Sequence, residues 1–446
     1  MYEYLLYNQL KNNAKADKSF HMPGHKARGD FKAKFGCAPI DVTELSYSGN
    51  LLCPTGAAAR AQEEIAEILG AKFSRILTDG STLGVLSMVY ALSSRGSKII
   101  VPRNSHQSVW NACRLFNLEP VTVQGGYRDG VILPPDPAEV EELLANDNTI
   151  AGMIAVSPDY YGNIAPLREY SDVLKKYNRY LAVDGAHGAH LAFAPLGGGY
   201  AGVYADLWVD GAHKTLPTLT QGAIVSSNRA ELIPALAEGL SLLRTSSPSF
   251  PVAASVEYGV KYLKNNPRVL EEASKAIDLF REKCPYKIYP SDDKFKLAID
   301  CEPLGASSDE IAARLEKRGV YAELSDGKYI LFYLSPMNTA ADLNRLLSAL
   351  NAVVNSKKLK KNYKKKLPLP PLQRTFSFLY AYRQKSVYVP LDKAEGRMCA
   401  CNAGIAPPCI PVICAGEIIT KEAVKLLSSA KDVYGIEGGK IKVVAK

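Results

Sequence analysis

The sequence lacks the features that would place it in a membrane or mark it for secretion. Hydrophobic residues make up 47% of its 446 residues, yet no apolar run reaches the ~20 residues that a membrane-spanning helix needs. The segment Met1–Tyr7 has neither the charged start nor the apolar core of a signal peptide. No internal repeat is evident. We therefore expect a cytoplasmic protein of roughly three domains, since a domain holds about 150 residues.

The cysteine pattern argues against both a disulfide framework and a metal site. Nine cysteines, an odd number, are scattered over the chain, which favours reduced thiols in a reducing compartment. Four of them lie near the C-terminus, at Cys399, Cys401, Cys409 and Cys414. Zinc sites are usually built on Cys-x₂₋₄-Cys pairs, so we expect no metal here and interpret these side chains as small buried hydrophobic groups.

The net charge of +9 comes largely from one lysine-rich block at residues 357–366. A proline-rich segment, Leu367–Leu372, follows it, and a lysine block next to prolines is typical of a solvated interdomain linker. The alternative is binding to nucleic acid or to another anionic surface. We favour the linker because aromatic residues are not interleaved with the lysines to stack on bases.

A lysine and an aspartate follow two apolar runs that predict buried strands. The run Tyr180–Val183 ends at Asp184, and Lys214 comes just after the run that ends at Asp210, in what we interpret as a polar loop. Ligands of open α/β sheets bind outside the carboxyl ends of the strands. Pyridoxal 5'-phosphate (PLP) needs these two groups, an amine for its Schiff base and a carboxylate beside its pyridine nitrogen. Either residue alone would more often be a surface lysine or a helix-capping aspartate.

A candidate phosphate cradle precedes these strands. A short predicted strand, Ser74–Leu77, leads through Gly80, Ser81 and Thr82 into a predicted helix, Leu83–Leu92. Glycine lets an anion approach the backbone amides closely, and the hydroxyl groups donate hydrogen bonds to it. The helix N-terminus, the positive end of the helix dipole, attracts the negative charge. A Ser-Thr pair before a helix is often only an N-cap. The position ahead of the aspartate and the lysine favours the phosphate interpretation.

His106 lies just beyond another predicted strand, Lys98–Pro102. Its imidazole could stack on a flat cofactor ring, because functional side chains are common on such loops. The alternative is that His106 caps the helix that follows. We favour stacking.

Short blocks along nearly the whole chain resemble, in order, the Orn/Lys/Arg decarboxylases. These are fold-type-I PLP enzymes that act on basic amino acids, and the resemblance is to their shorter forms without an N-terminal wing domain. The blocks that carry it are His21–Lys26, Asp41–Leu45, Gly80–Thr82, Arg103–Ser108, Ser157–Gly162, Asp184–His190, His213–Pro217, Thr220–Ala223, Thr245–Ser249, Pro407–Pro411 and Gly416–Glu417.

The resemblance implies a PLP site and a role for each matching position. Lys214 would form the Schiff base, Asp184 would pair with the pyridinium nitrogen, and His106 and Ala186 would lie on the two ring faces. His187 would contribute, with Lys214, to returning a proton after CO₂ leaves. Family members are at least homodimers with shared active sites, so Ser246 would reach a phosphate from a partner subunit. The implied cofactor-binding residues are Gly80, Ser81, Thr82, His106, Asp184, Ala186, His213, Lys214 and Ser246.

Several positions depart from the family pattern. Gly185 stands where the family usually has glutamate, Gly211 where it has a phosphate-binding serine, Cys401 where it has glutamate and Ala406 where it has tyrosine. The acidic pair usual after Asp-Val-Thr-Glu is also missing at residues 46–50. A cationic substrate in a partly dry pocket needs a carboxylate partner, so these losses weaken the assignment to arginine, lysine or ornithine.

Two residues are candidate substrate contacts. Asp159 is an acid at a position where the family usually has a small hydroxyl residue, and His25 lies in the block that we interpret as an active-site or subunit-interface loop. Three classes of function stay open: a decarboxylase of a basic amino acid, which we favour, another PLP enzyme on the same frame, and a PLP-binding regulator without turnover.

Strands and helices alternate through about Arg244, which predicts an α/β large domain with a mostly parallel sheet. We expect a smaller α/β domain after it and, as the resemblance implies, a C-terminal α+β domain. The predicted segments are an arm at 1–46, a PLP-binding domain at 47–245, a small domain at 246–355, a linker at 356–372 and a C-terminal decarboxylase-type domain at 373–446. Further predicted strands are 150–156, 207–210, 296–300 and 329–333, and predicted helices are 138–145, 167–177, 308–318 and a long run from Pro251.

Overall fold

The computed structural model describes residues 1–15, 18–193, 199–363, 365, 368–371 and 375–445. These residues form two compact units, each assembled from separated segments of the sequence. The first unit contains Met1–Ala91, Ala182–Asp278 and Leu334–Ala340. The second unit contains Leu92–Leu181, Leu279–Tyr333 and Ala341–Lys446. No helix in the described ranges combines the length and the apolar character needed to cross a bilayer.

The α-helices of the described residues are short to medium in length. In chain order they are α1 (Leu5–Asn13), α2 (Gly29–Lys34), α3 (Gly56–Leu69), α4 (Gly80–Ser93), α5 (Gln107–Leu115), α6 (Pro137–Asn146), α7 (Leu167–Lys176), α8 (Ala212–Thr215), α9 (Ile233–Leu243), α10 (Phe250–Asn265), α11 (Pro267–Lys283), α12 (Ser308–Glu316), α13 (Ala340–Val354), α14 (Phe378–Arg383) and α15 (Lys421–Ser429).

The strands belong to one large sheet and several small ones. In chain order they are β1 (Phe73–Leu77), β2 (Lys98–Pro102), β3 (Glu119–Val123), β4 (Tyr127–Arg128), β5 (Val131–Ile132), β6 (Ile150–Val156), β7 (Tyr180–Gly185), β8 (Leu207–Asp210), β9 (Ala223–Ser227), β10 (Lys296–Asp300), β11 (Leu324–Ser325), β12 (Tyr329–Tyr333), β13 (Ser386–Pro390), β14 (Ala403–Ile405), β15 (Ile410–Ile413), β16 (Val433–Tyr434), β17 (Ile436–Glu437) and β18 (Lys440–Val444).

The large sheet has seven strands in the order β1-β9-β8-β7-β6-β2-β3. The pairs β2–β3, β2–β6 and β7–β8 are parallel, and β8–β9 and β1–β9 are antiparallel. Its central strands are continuous apolar runs, as expected where a parallel sheet is covered on both faces. β10, β12 and β11 form a small antiparallel sheet, and the C-terminal strands form two more with α15 nearby. This arrangement confirms the predicted fold class.

Most predicted elements are confirmed, and the clearest differences concern a long helix and the loop around Lys214. Five predicted strands have the predicted bounds: Lys98–Pro102, Ile150–Val156, Leu207–Asp210, Lys296–Asp300 and Tyr329–Tyr333. The long helix expected from Pro251 is in fact two helices, α10 and α11. They break at Asn266, because the residue before a proline is disfavoured in the α conformation. The polar loop expected around Lys214 is also wrong, since that residue lies in the one-turn helix α8.

Part of the predicted linker contacts neighbouring residues of the second unit. Lys361 Nζ donates to the carbonyl of Leu304 at 2.6 Å, and the amide of Tyr363 donates to the carbonyl of Gly305 at 3.1 Å. The prediction also covers residues 364, 366, 367 and 372, which lie outside the described residues. The boundaries of the five predicted segments stay predictions.

Candidate active site

Asp184 and Lys214 follow two paired strands of the first unit. In β7 and β8, Asp184 pairs with Val209 and Gly185 with Asp210 in parallel register. Their carboxyl ends therefore meet at one edge of the sheet, as predicted. The chain then passes through Gly211 into α8, whose last turn carries Lys214.

The amine of Lys214 lies against an imidazole. Its Nζ is 3.1 Å from His187 Nε2, which is hydrogen-bonding distance. His187 is buried and Lys214 is half-buried. His187 lies in the turn that follows β7. The amide of Gly188 closes this turn by donating to the carbonyl of Gly185 at 2.8 Å. The structure thus brings together two residues that were predicted to handle the same proton.

Asp184 is a buried carboxylate on the same strand end. Its Oδ1 accepts a hydrogen bond from the amide of Ala186 at 3.2 Å. Its exposed fraction is 5% and that of Ala186 is 6%. In this dry setting a carboxylate interacts strongly with a nearby cation, which suits the predicted pairing with a pyridinium nitrogen.

The predicted cradle forms the first turn of α4. Gly80 has φ +76°, a left-handed conformation that lets β1 turn directly into the helix. A Cβ on Gly84 would lie 2.5 Å from Val209 Cγ2, so α4 packs closely on β8 and brings its N-terminal turn toward the carboxyl end of that strand. Ser81 and Thr82 lie in this turn and are not buried. The helix therefore begins earlier than predicted, at Gly80 instead of Leu83.

His213 is held by the loop that leads to β9. Its Nδ1 lies 3.0 Å from the carbonyl of Gly222, and its own amide donates to the same oxygen at 3.0 Å. Burial lowers the pKa of the imidazole, the Gly222 carbonyl partly opposes this, and the charge of Lys214 lowers it further. Because Nδ1 donates to this carbonyl, Nε2 of the neutral ring carries no hydrogen. The predicted contact with a phosphate would therefore need the protonated imidazole, and it stays a prediction.

Sequence reasoning missed two buried charged groups of the first unit. Arg244 donates from Nη1 to the carbonyl of Leu51 at 2.9 Å and from Nη2 to that of Ile76 at 3.3 Å, directly before the exposed Ser246 segment. Burial raises the pKa of Asp210 to about 7, although the carboxylate accepts hydrogen bonds from Tyr200 and Trp208. Asp210 lies two residues after Trp208 in a strand, so the two side chains lie on the same face. This spacing was the sequence signal that could have identified Asp210 as a buried partner of Trp208.

His25 lies in the first unit, within the N-terminal arm. Its Nε2 is 3.2 Å from Asp41 Oδ2, and its ring stacks on Phe31 with centroids 4.6 Å apart. The His21–Lys26 and Asp41–Leu45 blocks are therefore in contact. The role of His25 toward a substrate stays a prediction.

His106, in the second unit, is the N-cap of α5. Its Nδ1 accepts from the amide of Ser108 at 3.2 Å and lies 2.8 Å from the Ser108 hydroxyl. The capping alternative is thus confirmed. Capping occupies one ring nitrogen and leaves the ring faces to other contacts, so stacking on a cofactor stays a prediction.

Asp159, also in the second unit, has internal partners for both carboxylate oxygens. Its Oδ1 accepts from the amides of Tyr161 and Asn163 at 2.8 and 3.0 Å, and its Oδ2 from Asn163 Nδ2 at 2.7 Å. Only 4% of the residue is exposed. This geometry favours a structural role in the turn, while the predicted contact with substrate is untested.

The structural role of Asp159 predicts a pH effect on stability. Burial raises its pKa from 3.8 to about 6, more than its hydrogen bonds lower it. Between those two values the folded protein holds a proton that the unfolded chain has lost. The contribution of Asp159 to the free energy of unfolding is therefore complete below pH 4. It declines as pH rises through 6, by about 3 kcal/mol in total. We expect Asp159→Asn to remove this slope in urea unfolding measured from pH 4 to 7.5.

The exposed neighbour Asp292 supplies a matched control, and Asp292→Asn should keep the wild-type slope. Asp159→Asn should also leave the choice of amino acid unchanged. An altered substrate preference with an unaltered pH slope would instead support the substrate contact.

Gly211 has no room for the serine that the resemblance led us to expect at this position. A Cβ there would lie 2.4 Å from the carbonyl oxygen of Ala186, a backbone atom of the neighbouring strand's turn. We expect Gly211→Ser to lower stability by about 1–3 kcal/mol through overpacking and to weaken PLP binding about tenfold, because the turns carrying Asp184 and Lys214 must separate. The checks are thermal unfolding and absorbance titration with PLP.

Gly36→Ser is the control, because a Cβ at Gly36 meets no atom within 4 Å. Tighter PLP binding by Gly211→Ser without loss of stability would mean that the serine fits and restores a phosphate ligand.

The cysteines and possible metal ligands add no centre to this site. All nine cysteines lie within the described ranges, and none of them forms a disulfide. Within the described ranges, no group of three or more His, Cys, Asp or Glu side chains has a metal-binding arrangement.

The side chains of the first unit fit PLP in their chemistry. An amine and a buried carboxylate follow paired strands, two hydroxyl groups lie in the first turn of a helix, and a histidine of lowered pKa adjoins the lysine. The amine suits the aldehyde, the carboxylate suits the pyridinium nitrogen, and the hydroxyl groups at the helix N-terminus suit the phosphate.

Comparison with known proteins gives matches along the chain. Residues 5–289 match the family model described as Orn/Lys/Arg decarboxylase, major domain, and residues 356–434 match that of its C-terminal domain. The chain is 29% identical to the uncharacterized protein YaaO of Bacillus subtilis, covering 99% of this chain and 97% of that protein. It is 28% identical to an arginine decarboxylase of the same organism, with the same coverage.

A solved structure gives the same fold. The Francisella novicida lysine decarboxylase LdcF superposes with a TM-score of 0.82 at 20% identity, covering 99% of this chain and 81% of that one. The predicted fold, that of the fold-type-I PLP enzymes, is thereby confirmed.

Proposed function

Because the chain belongs to the Orn/Lys/Arg decarboxylase family, we propose that it decarboxylates a basic amino acid with PLP bound to Lys214. The observation that carries the proposal is the 3.1 Å contact between Lys214 Nζ and His187 Nε2, next to the paired ends of β7 and β8. Arginine, lysine and ornithine are the candidate substrates. Arginine is tested first because several relatives bear the name arginine decarboxylase.

The residues of the first unit would hold each part of the cofactor. Bound PLP supplies an electron-withdrawing ring that stabilises negative charge on the α-carbon of an amino acid. Asp184 would keep the ring nitrogen protonated, and its burial makes that ionic contact strong. Ser81, Thr82 and the N-terminal turn of α4 would hold the phosphate together with His213.

Lys214 and His187 would manage the proton that replaces CO₂. The amine and the imidazole are within hydrogen-bonding distance, so a proton can pass between Nζ and Nε2 without a bridging water. The amine would hold this proton while the carboxylate leaves and then deliver it to the substrate carbon. General acid–base steps of this kind contribute roughly 10²–10⁴ in rate.

The proposal includes a homodimer with shared active sites. Ser246 is exposed in the isolated chain, and so are Thr245 and Ser247. Hydroxyl groups at this position are available to a second subunit, and we propose that they reach the phosphate of the partner's cofactor. His106 would stack on the ring while its Nδ1 keeps the cap of α5.

The test is CO₂ release from carboxyl-labelled arginine, lysine and ornithine by PLP-loaded protein, with keto-acid formation measured in the same samples. Release from one of the three, with the matching amine as product, supports the proposal. Keto acid without CO₂ would indicate a different PLP reaction. A PLP chromophore without turnover of any amino acid would indicate a regulator.

A further inference from the structure

Two cysteines of the C-terminal segment lie unusually close together. Cys399 Sγ and Cys401 Sγ are 4.0 Å apart, and both residues are free thiols. Cys401 is also one of the positions that we interpreted from the sequence as departing from the family pattern. Neither sulfur belongs to the candidate active site described above, so the pair calls for its own explanation.

The local backbone brings the two sulfurs together. In a regular strand, residues two apart are separated by about 6.6 Å, but the chain bends at Cys401 just before β14. Both sulfurs lie near the carbonyl of Lys442, at 3.9 Å from Cys399 and 3.8 Å from Cys401. Each also has a nearer carbonyl, that of Cys401 at 3.1 Å from Cys399 Sγ and that of Gly435 at 3.7 Å from Cys401 Sγ. A disulfide has an S–S distance near 2.05 Å, so closure needs a movement of about 2 Å shared by two side chains.

The two thiols differ in access and acidity. Cys399 is fully buried in the C-terminal core, whereas Cys401 is half-buried. The Cys399 thiol as hydrogen-bond partner lowers the pKa of Cys401, and the same contact together with burial raises the pKa of Cys399 well above its usual range. The more accessible and more acidic thiol is the one that reacts first with an oxidant, because its thiolate is the nucleophile.

We propose that Cys399 and Cys401 are a redox-active dithiol that a hydroperoxide converts to an intramolecular disulfide. The Cys401 thiol gives up its proton, the thiolate sulfur attacks one peroxide oxygen and the O–O bond breaks. The departing hydroxide takes up that proton and leaves as water, and Cys401 becomes a sulfenic acid. The Cys399 sulfur then attacks the Cys401 sulfur and expels the second water. Both sulfurs are oxidised, peroxide is reduced to two waters, and an external thiol reverses the reaction.

The experiment uses the full chain with Cys37→Ser and Cys53→Ser, which remove the two exposed thiols and leave seven of nine cysteines. After equimolar hydrogen peroxide, we expect the intact mass to fall by two hydrogen atoms and the titratable thiols to fall from seven to five. Dithiothreitol should restore both values. All four C-terminal cysteines share one tryptic peptide, Met398–Lys421, so variants must assign the bond.

Cys401→Ser and Cys399→Ala in this background should abolish the mass change, while Cys409→Ser and Cys414→Ser are matched controls that should keep it. Circular dichroism identifies any variant that fails to fold. Cys401→Ser is the decisive variant, because position 401 is only half-buried and tolerates substitution better than the buried position 399. An unchanged parent mass, a gain of oxygen alone, or a two-hydrogen loss that persists in folded Cys401→Ser would overturn the proposal.

Discussion

Replacing Lys214 with alanine is expected to abolish covalent attachment of PLP and to lower CO₂ release by at least about 10³-fold. The variant loses both the amine that bonds the aldehyde and the donor that protonates the substrate carbon, and proton transfer alone accounts for roughly 10²–10⁴. The 3.1 Å contact with His187 leaves an imidazole in place, but an imidazole cannot bond the cofactor as an amine does. Borohydride reduction followed by intact mass measures the attachment independently of turnover.

Two further variants separate attachment of the cofactor by Lys214 from proton transfer by Lys214 and His187. Lys264→Ala removes an exposed lysine of α10 and should behave as wild type. His187→Gln should keep the borohydride-stable mass increase but lose about 10²-fold in rate, because only proton transfer is affected. A phosphopyridoxyl group that remains attached to Lys214→Ala would show that another lysine anchors the cofactor.

The sequence predicts the strand ends of the candidate site well because each end combines two strong signals. The first signal is an apolar run that stops at a polar residue, as at Asp184 and Asp210. The second is that strands buried on both faces must be apolar throughout, so the first polar residue marks the end of the strand. The order of cradle, aspartate and lysine along the chain is also a local property. These features therefore survive in the structure almost unchanged.

What the sequence could not predict depends on close approach between distant segments. The glycine at 211 is required by the Ala186 carbonyl, which belongs to the turn of a neighbouring strand. Asp159 looks like an available acid, yet its partner Asn163 is held in turn by the hydroxyl of Tyr289, 126 residues away. Such constraints arise from packing and leave no periodic pattern to recognise.

The buried Arg103 of the second unit is a further case, and its replacement by methionine should have the largest effect on stability. The arginine is fully buried just after β2. Its Nη1 donates to the Pro411 carbonyl at 2.6 Å, its Nη2 to those of Pro370 and Val412 at 3.2 and 3.4 Å, and its Nε to Pro370 at 3.3 Å. One guanidinium therefore ties the C-terminal segment to the end of a strand of the large sheet.

Methionine fills similar space but leaves three carbonyls without their donor. Each unsatisfied buried group costs about 1–3 kcal/mol, so three of them predict a loss of about 3–9 kcal/mol. Arg103→Lys should be intermediate, because it keeps the charge but loses the planar fork. The exposed Arg128, with one bond to the Pro290 carbonyl, supplies the control Arg128→Met, for which we expect less than about 1 kcal/mol.

Urea unfolding and limited proteolysis of the C-terminal segment measure this effect. In Arg103→Met the segment should become protease-sensitive before the rest of the chain unfolds, because its anchor is lost while the sheet is intact. Cofactor affinity should fall with it, since the Cys409 carbonyl accepts from the amide of Gln107 at 2.9 Å, next to His106. A change below about 1 kcal/mol would mean that water or shifted side chains satisfy the three carbonyls and that the arginine is not the anchor.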